Sequence, residues 1–148
     1  MKILAIDPGL STGWALLDAG ILIDCGLGDP RSQSFCNLAR VLIERPRVYP
    51  GPREADPNDL ITLAIMVGRY SEAFEAKGFP VEHIFPRVWK GTVNADVLCN
   101  RVLDSLPQFE RQLYESKVSK VAEGKRHNVI DAIGIGKWSL RRARPGVF

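Results

Sequence analysis

The strongest constraint on the fold is where the apolar runs of this chain stop. Ile3-Leu4-Ala5-Ile6 reads as a buried strand and meets Asp7-Pro8-Gly9, a sequence that breaks the chain. Gly13-Trp14-Ala15-Leu16-Leu17 and Ile21-Leu22-Ile23-Asp24-Cys25 flank Ala19-Gly20, which reads as a two-residue hairpin turn. Strands joined so tightly are expected to be antiparallel. Residues 26–38 are rich in Gly, Ser, Pro and Asp and predict a loop with at most one helical turn. Leu38-Ala39-Arg40-Val41-Leu42-Ile43-Glu44 is a fourth strand that, like the first, ends on a carboxylate; Pro46 and Tyr49-Pro50-Gly51-Pro52 cannot continue it.

The clearest helix spans about 58–77. Asp56 or Asn58 can cap it, Pro57 suits a first turn, and Gly78 ends it. Leu60, Leu63, Val67 and Phe74 form the stripe expected to face the sheet, while Ile61, Ile65 and Met66 carry apolar surface beyond that stripe. Val81–Phe85 is a fifth strand, stopped by Pro86. Helices are expected at about 95–106 and 107–116, and a last one from about His127 with Val129, Ile133, Gly136 and Leu140 inward and Arg141, Arg142 and Arg144 at its end. The order β-β-β, loop, β-α-β, then helices predicts an α/β domain, 1–148, with a mixed five-stranded sheet and flanking helices, its β-α-β crossover parallel and right-handed.

The 148 residues are enough for one real core. No apolar run approaches the ~18 residues of a membrane span. The N-terminal apolar stretch is too brief for a signal peptide, so a cytoplasmic location is expected. Cys25, Cys36 and Cys99 are widely spaced without a C-x-x-C pair, which fits reduced thiols rather than a structural zinc site. The net charge of +3 is unevenly spread: nine Lys/Arg face three Asp/Glu from Arg111 onward, against eleven and fourteen before it. An acidic first part and a basic last part suit a protein that needs carboxylates for metal and cations for phosphate, although a basic tail can also serve solubility alone.

Asp7 and Glu44 close two strands, and Asp131 is expected in the first turn of the last helix. If the two strands are parallel neighbours, both carboxylates emerge at one sheet edge. Charges so gathered repel one another unless a cation sits among them, and hard divalent ions prefer oxygen ligands. Each residue also has a plainer use. Asp7-Pro8-Gly9 can be a turn, Glu44 can pair with Arg45 or Arg47 at the surface, and Asp131 can favour its helix N-terminus.

Ile3–Ala15, with its strand ending in Asp7-Pro8-Gly9 and Gly13 shortly after, resembles the opening of RuvC-type Holliday junction resolvases, members of the ribonuclease H-like superfamily. Val41-Leu42-Ile43-Glu44-Arg45-Pro46 resembles their second acidic strand, and Arg126-His127-Asn128-Val129-Ile130-Asp131-Ala132-Ile133 their closing helix. The resemblance spans Lys2 to Leu140 and is nearest to phage-encoded RuvC-like endonucleases, which would place the protein in a host cytoplasm.

The resemblance implies a ribonuclease H-like fold, two Mg2+ ions per site (Mn2+ can substitute), a homodimer, and paired nicks in a four-way junction. It carries Asp7, Glu44 and Asp131 over as metal ligands. The fourth position is Asn128, where the family has Asp or His, with His127 one step earlier; either can share a helix face with Asp131. His127 can also move a proton, and Asn128 can act as a helix cap. Lys90 resembles the family's basic residue near the scissile phosphate. Trp89 is either a packing residue or a stacking platform at an opened junction. Arg111, Lys117, Lys120, Lys125 and Arg126 are expected to track the DNA backbone. The homodimer is expected to form through the 58–77 helix. The alternatives are a nuclease of this fold acting on flap DNA or structured RNA, and a non-catalytic DNA-binding protein.

Overall fold

The computed structural model describes residues 1–52 and 56–142; Arg144, expected at the end of the last helix, lies outside them. Five strands form a single sheet: β1 (Lys2–Asp7), β2 (Gly13–Asp18), β3 (Ile21–Leu27), β4 (Leu38–Glu44) and β5 (Val81–Ile84), in the order β3-β2-β1-β4-β5. The β1–β2 and β2–β3 pairs are antiparallel and the β1–β4 and β4–β5 pairs parallel. The mixed sheet expected from the strand order is therefore present. Ala19 and Gly20 both take positive φ, 48° and 88°, as a two-residue turn needs when it must match the twist of its strands.

Alternation along the strands divides the core. Leu4, Ile6, Trp14, Val41 and Ile43 pack against Val67, Tyr70 and Phe74 of α1 (Pro57–Ala76) on one face. The other face carries Ile3, Ala5, Ala15, Leu17 and Leu42. It is covered by α5 (Arg126–Arg142), with α2 (Pro86–Lys90), α3 (Ala95–Asp104) and α4 (Gln108–Val118) around it. Asp56 caps α1 by accepting from the Asn58 amide at 2.8 Å. The inner stripe of α1 differs from expectation: Val67, Tyr70, Ser71 and Phe74 are buried, whereas Leu60 and Leu63 are only half-buried. Along the first half of the helix Leu63 lines an open groove shared with Gly9, Leu10 and Ser11 and with the start of α5, and so is not packed into the core. Met66 also departs from expectation, since it packs partly on the core rather than standing free.

The last helix lies very close to the strands. A Cβ on Gly13 would overlap the backbone of Asn128 and Val129, and one on Gly134 would come within 2.7 Å of the Trp89 ring. Far from that contact, the buried Glu110 of α4 accepts from Lys137 Nζ at 2.5 Å and from the Leu22 amide at 3.0 Å, tying α4 and α5 to the β2–β3 hairpin.

Candidate metal-binding edge

The register that sets Ile6 beside Ile43 brings Asp7 and Glu44 to neighbouring positions at the same sheet edge. Residues alternate faces along a strand, so Asp7 shares the α5 face with Ala5, and Glu44 shares it with Leu42. Asp131 reaches the edge from the second turn of α5, not the first as expected, because the helix already begins at Arg126; Gly13 lets this helix settle directly onto β2. Lys90 comes from α2: its Nζ lies 3.5 Å from Glu44 Oε2 and 3.7 Å from Asp131 Oδ2. Trp89 donates its indole N–H to Glu44 Oε2 at 2.5 Å.

The electrostatics follow from this crowding. Asp7 is 8% exposed. Burial, then Glu44 and Asp131, hold its carboxyl well above the ordinary range, with Lys90 opposing them. Asp131 is raised chiefly by burial, with Glu44 adding and Lys90 and His127 opposing. Burial works against the Lys90 ammonium, but Glu44, Asp131 and Asp7 outweigh it and raise its pKa. Three carboxylates thus share one edge with one ammonium, an arrangement short of positive charge.

Among the described residues, no set of three His, Cys, Asp or Glu side chains is drawn together closely enough to form a ready-made metal cage. The donor chemistry nevertheless fits a hard divalent ion, because the edge offers carboxylate oxygens, and burial and neighbouring charge hold back the ionised forms of Asp7 and Asp131. Asp7, Glu44 and Asp131 would hold such an ion.

The two candidates for a fourth ligand both start α5. His127 Nδ1 donates to the Gly124 carbonyl at 2.9 Å, which leaves Nε2 as the free ring nitrogen. Asn128 donates its amide nitrogen to the Lys125 carbonyl at 3.3 Å. Both line a groove of about 510 Å3 beside the edge, together with Lys125.

The expected phosphate-tracking residues divide. Lys125 and Arg126 stand at the start of α5, where Arg126 spends its Nε–H on the Val121 carbonyl at 3.0 Å. Arg111 is instead engaged with Asp104 and Glu115, and Lys117 with Asp24 at 2.8 Å, so neither is held ready for phosphate. Lys120 is exposed beyond the end of α4. Trp89 is 9% exposed and packs on Gly134, so its ring faces the protein and stacking on a base is not the use this geometry gives it.

Several residues at the edge escaped the sequence reasoning. Thr12 Oγ1 donates to the Gly9 carbonyl at 3.0 Å and lies 2.9 Å from Tyr70 Oη, so the loop after Asp7 is tied to α1. With its own proton on Gly9, Thr12 accepts the Tyr70 proton. On the β4 side, Arg45 and Arg47 lie over the Phe85 ring, and Arg47 and Arg87 over Tyr49. The available signal was the alternation of Arg with Pro and Tyr directly after Glu44.

No protein-family profile matches the sequence, and no curated protein matches it. Among solved structures, the chain is similar to Thermus thermophilus RuvC in complex with a Holliday junction substrate. The TM-score is 0.56 and the identity 14%, over 97% of this chain and 96% of that one. The fold is that of RuvC. A second Thermus thermophilus RuvC structure aligns over the same shares of both chains at 15% identity and a TM-score of 0.47. The RuvC-like sheet and the mixed pairing agree with the ribonuclease H-like architecture expected from the motifs around Asp7, Glu44 and Asp131.

Proposed function

We propose that this protein is a metal-dependent, structure-selective endodeoxyribonuclease that resolves Holliday junctions or other branched DNA. The observation that carries the proposal is the meeting of Asp7, Glu44 and Asp131 at one edge of a RuvC-like sheet, with Lys90 among them. A similar structure, that of Thermus thermophilus RuvC, holds a Holliday junction substrate. The resemblance suggests two Mg2+ ions, with Mn2+ able to substitute. Divalent ions at this edge would supply a water nucleophile at neutral pH and offset charge on the phosphate.

The residues around them divide the remaining work. Asp7, central and buried, faces both other carboxylates. Trp89 fixes Glu44 through its indole N–H. His127 keeps Nε2 free to carry a proton or complete a metal's ligand set, and Asn128 is the other candidate. Lys90 can turn its ammonium to the scissile phosphate once a metal takes over Glu44 and Asp131. Lys125 and Arg126 on one side, and Arg45, Arg47 and Arg87 on the other, would track the backbone without reading sequence. The expected products are a 5′-phosphate and a 3′-hydroxyl.

Paired nicks in a two-fold junction need two matched sites, so we further propose a homodimer. Its contact is the first half of α1, where Ile61 and Ile65 are 58% and 53% exposed. No helix among the described residues is long and apolar enough to cross a membrane, and the proposed substrate puts the protein in the cytoplasm, that of the host if it is phage-encoded.

The position of Lys90 between Glu44 and Asp131 favours one competing reading: a non-catalytic DNA-binding protein in which the lysine permanently replaces a metal. A substrate panel separates the two. Four-way junctions, flaps, duplex DNA and structured RNA are incubated with Mg2+, with the Asp7→Asn protein as control. Symmetric junction nicks by the wild type alone are expected. Binding without cutting on every substrate would establish the competing reading, and cutting confined to flaps or RNA would move the substrate class.

A further inference from the structure

Leu10 is 98% exposed, three residues after Asp7. A single exposed leucine is ordinary on a protein surface, but this one stands on a fixed pedestal. The Gly9 amide donates to Thr12 Oγ1 at 3.3 Å, Thr12 returns a bond to the Gly9 carbonyl, and Tyr70 anchors Thr12 from α1. The loop carrying the leucine is therefore held by buried groups while the side chain itself is left uncovered.

It also stands on a ridge. The wall formed by Gly9, Leu10, Ser11 and Met66 is common to two grooves, one of about 510 Å3 reaching His127 and Asn128, the other of about 280 Å3 reaching Gly28 and Tyr70. The larger falls within the roughly 300–1,000 Å3 of small-ligand sites. Its walls combine apolar Leu63 and Met66 with Thr62, Asp59, Lys125 and Asn128, which can meet the polar edge of a planar ring, and Lys125 stands on the wall opposite Asp59 as the cation nearest a nucleotide's phosphate. Because His127 lines this groove and also bears on Asp131, an occupant would lie beside the carboxylate edge.

We infer that Leu10 is a wedge that enters between two successive bases of the strand to be cut, with one base lodged in each groove. Apolar side chains inserted at a base step unstack it at a cost of a few kcal/mol, which is least where the bases are already unpaired. Leu10 would thus select the flexible point of a branched DNA and set the nick at a fixed distance from it. This rests on the nuclease proposal above and adds to it the means by which the cut is positioned.

The test uses four-way junctions with 2-aminopurine at nucleotides flanking the exchange point, bound before Mg2+ is added. The wild type should raise the fluorescence severalfold at one step. Leu10→Ser should at least halve that rise, and Leu10→Met should restore it, with melting temperature unchanged because the side chain contacts nothing in the fold. Once Mg2+ is added, the nicks made by Leu10→Ser should scatter over neighbouring phosphates. A Leu10→Ser protein that matches the wild type in both fluorescence and nick position overturns the wedge while leaving the nuclease proposal standing. A wild type that neither binds nor cuts junctions removes the nuclease proposal, and the wedge with it.

Discussion

The indole N–H of Trp89 and the carboxylate of Glu44 meet at 2.5 Å, a bond between a short helix and the end of a strand 45 residues earlier in the chain. A hydrogen bond to a charged acceptor contributes about 1.5–3 kcal/mol. Trp89→Phe removes the donor but keeps an aromatic ring against Gly134. It is expected to slow junction cleavage roughly ten- to a hundredfold, if the whole bond energy is felt in the rate, with little loss of fold. Single-turnover rates alongside a thermal melt check this. An unchanged rate would mean that Glu44 needs no help in holding its position.

Asp7 should have opposite effects on activity and on stability. Asp7→Asn is expected to abolish cleavage and to leave junction binding intact or slightly tighter, since a carboxylate facing phosphate is gone. In the absence of metal the same substitution should raise the melting temperature at neutral pH. Burial with Glu44 and Asp131 holds the Asp7 carboxyl above its ordinary 3.8, and Asp131 is raised too. A carboxyl with a higher pKa folded than unfolded favours the folded state when protonated. That contribution is complete below 3.8 and is lost as pH rises through the raised folded value. Metal-free wild type should therefore melt at higher temperature as pH is lowered from neutral toward that range, and Asp7→Asn should flatten the slope. Melts over a pH series in EDTA read this directly, and equal slopes in the two proteins would contradict it.

Affinity for branched DNA should fall steeply with salt. Each neutralised phosphate contributes about −0.9 to the log-log slope on duplex DNA. Lys125→Ala and Arg87→Ala should each lower the slope by roughly one unit, whereas Lys117→Ala should not, because Lys117 is engaged with Asp24. Fluorescence anisotropy across a salt series measures all three. Equal slopes for the three variants would place the phosphate path elsewhere.

The first half of α1 should hold two copies together. Burying Ile61 and Ile65 on both subunits contributes several kcal/mol at ~25 cal/mol per Å2, before association entropy is subtracted. Ile65→Glu should give a folded monomer that cannot make coordinated nicks. Light scattering at micromolar concentration decides it; a monomeric wild type with full junction resolution would defeat the prediction.

The strand order was legible because buried strands and their breakers are local signals. The apolar run into Asp7-Pro8-Gly9 and the hairpin at Ala19-Gly20 need no tertiary information. The three carboxylates were legible because two of them end such strands. What surrounds them was not. Nothing local shows that Lys90 reaches both Glu44 and Asp131, or that Trp89 turns inward, since both depend on how a five-residue helix docks. The inner face of α1 was misjudged because helical spacing cannot tell which part of a stripe meets the core: Tyr70 is buried, and Leu60 and Leu63 are only half-buried. Lys117 was counted as a free cation because its partner Asp24 comes from another element, whereas one partner of Arg111, Glu115, stands four residues on along the same helix and was overlooked.

The missing side chain at Gly13 also sets an order of events in time. Asp7 and Glu44 belong to the first third of the chain, so both leave the ribosome long before Asp131, and the hairpin and parallel strands that carry them can pair at once. The third carboxylate arrives only when α5 settles against the bare backbone of Gly13. A nascent or truncated chain thus lacks the third carboxylate however well its sheet has formed, and the acidic edge is completed only when the last helix docks.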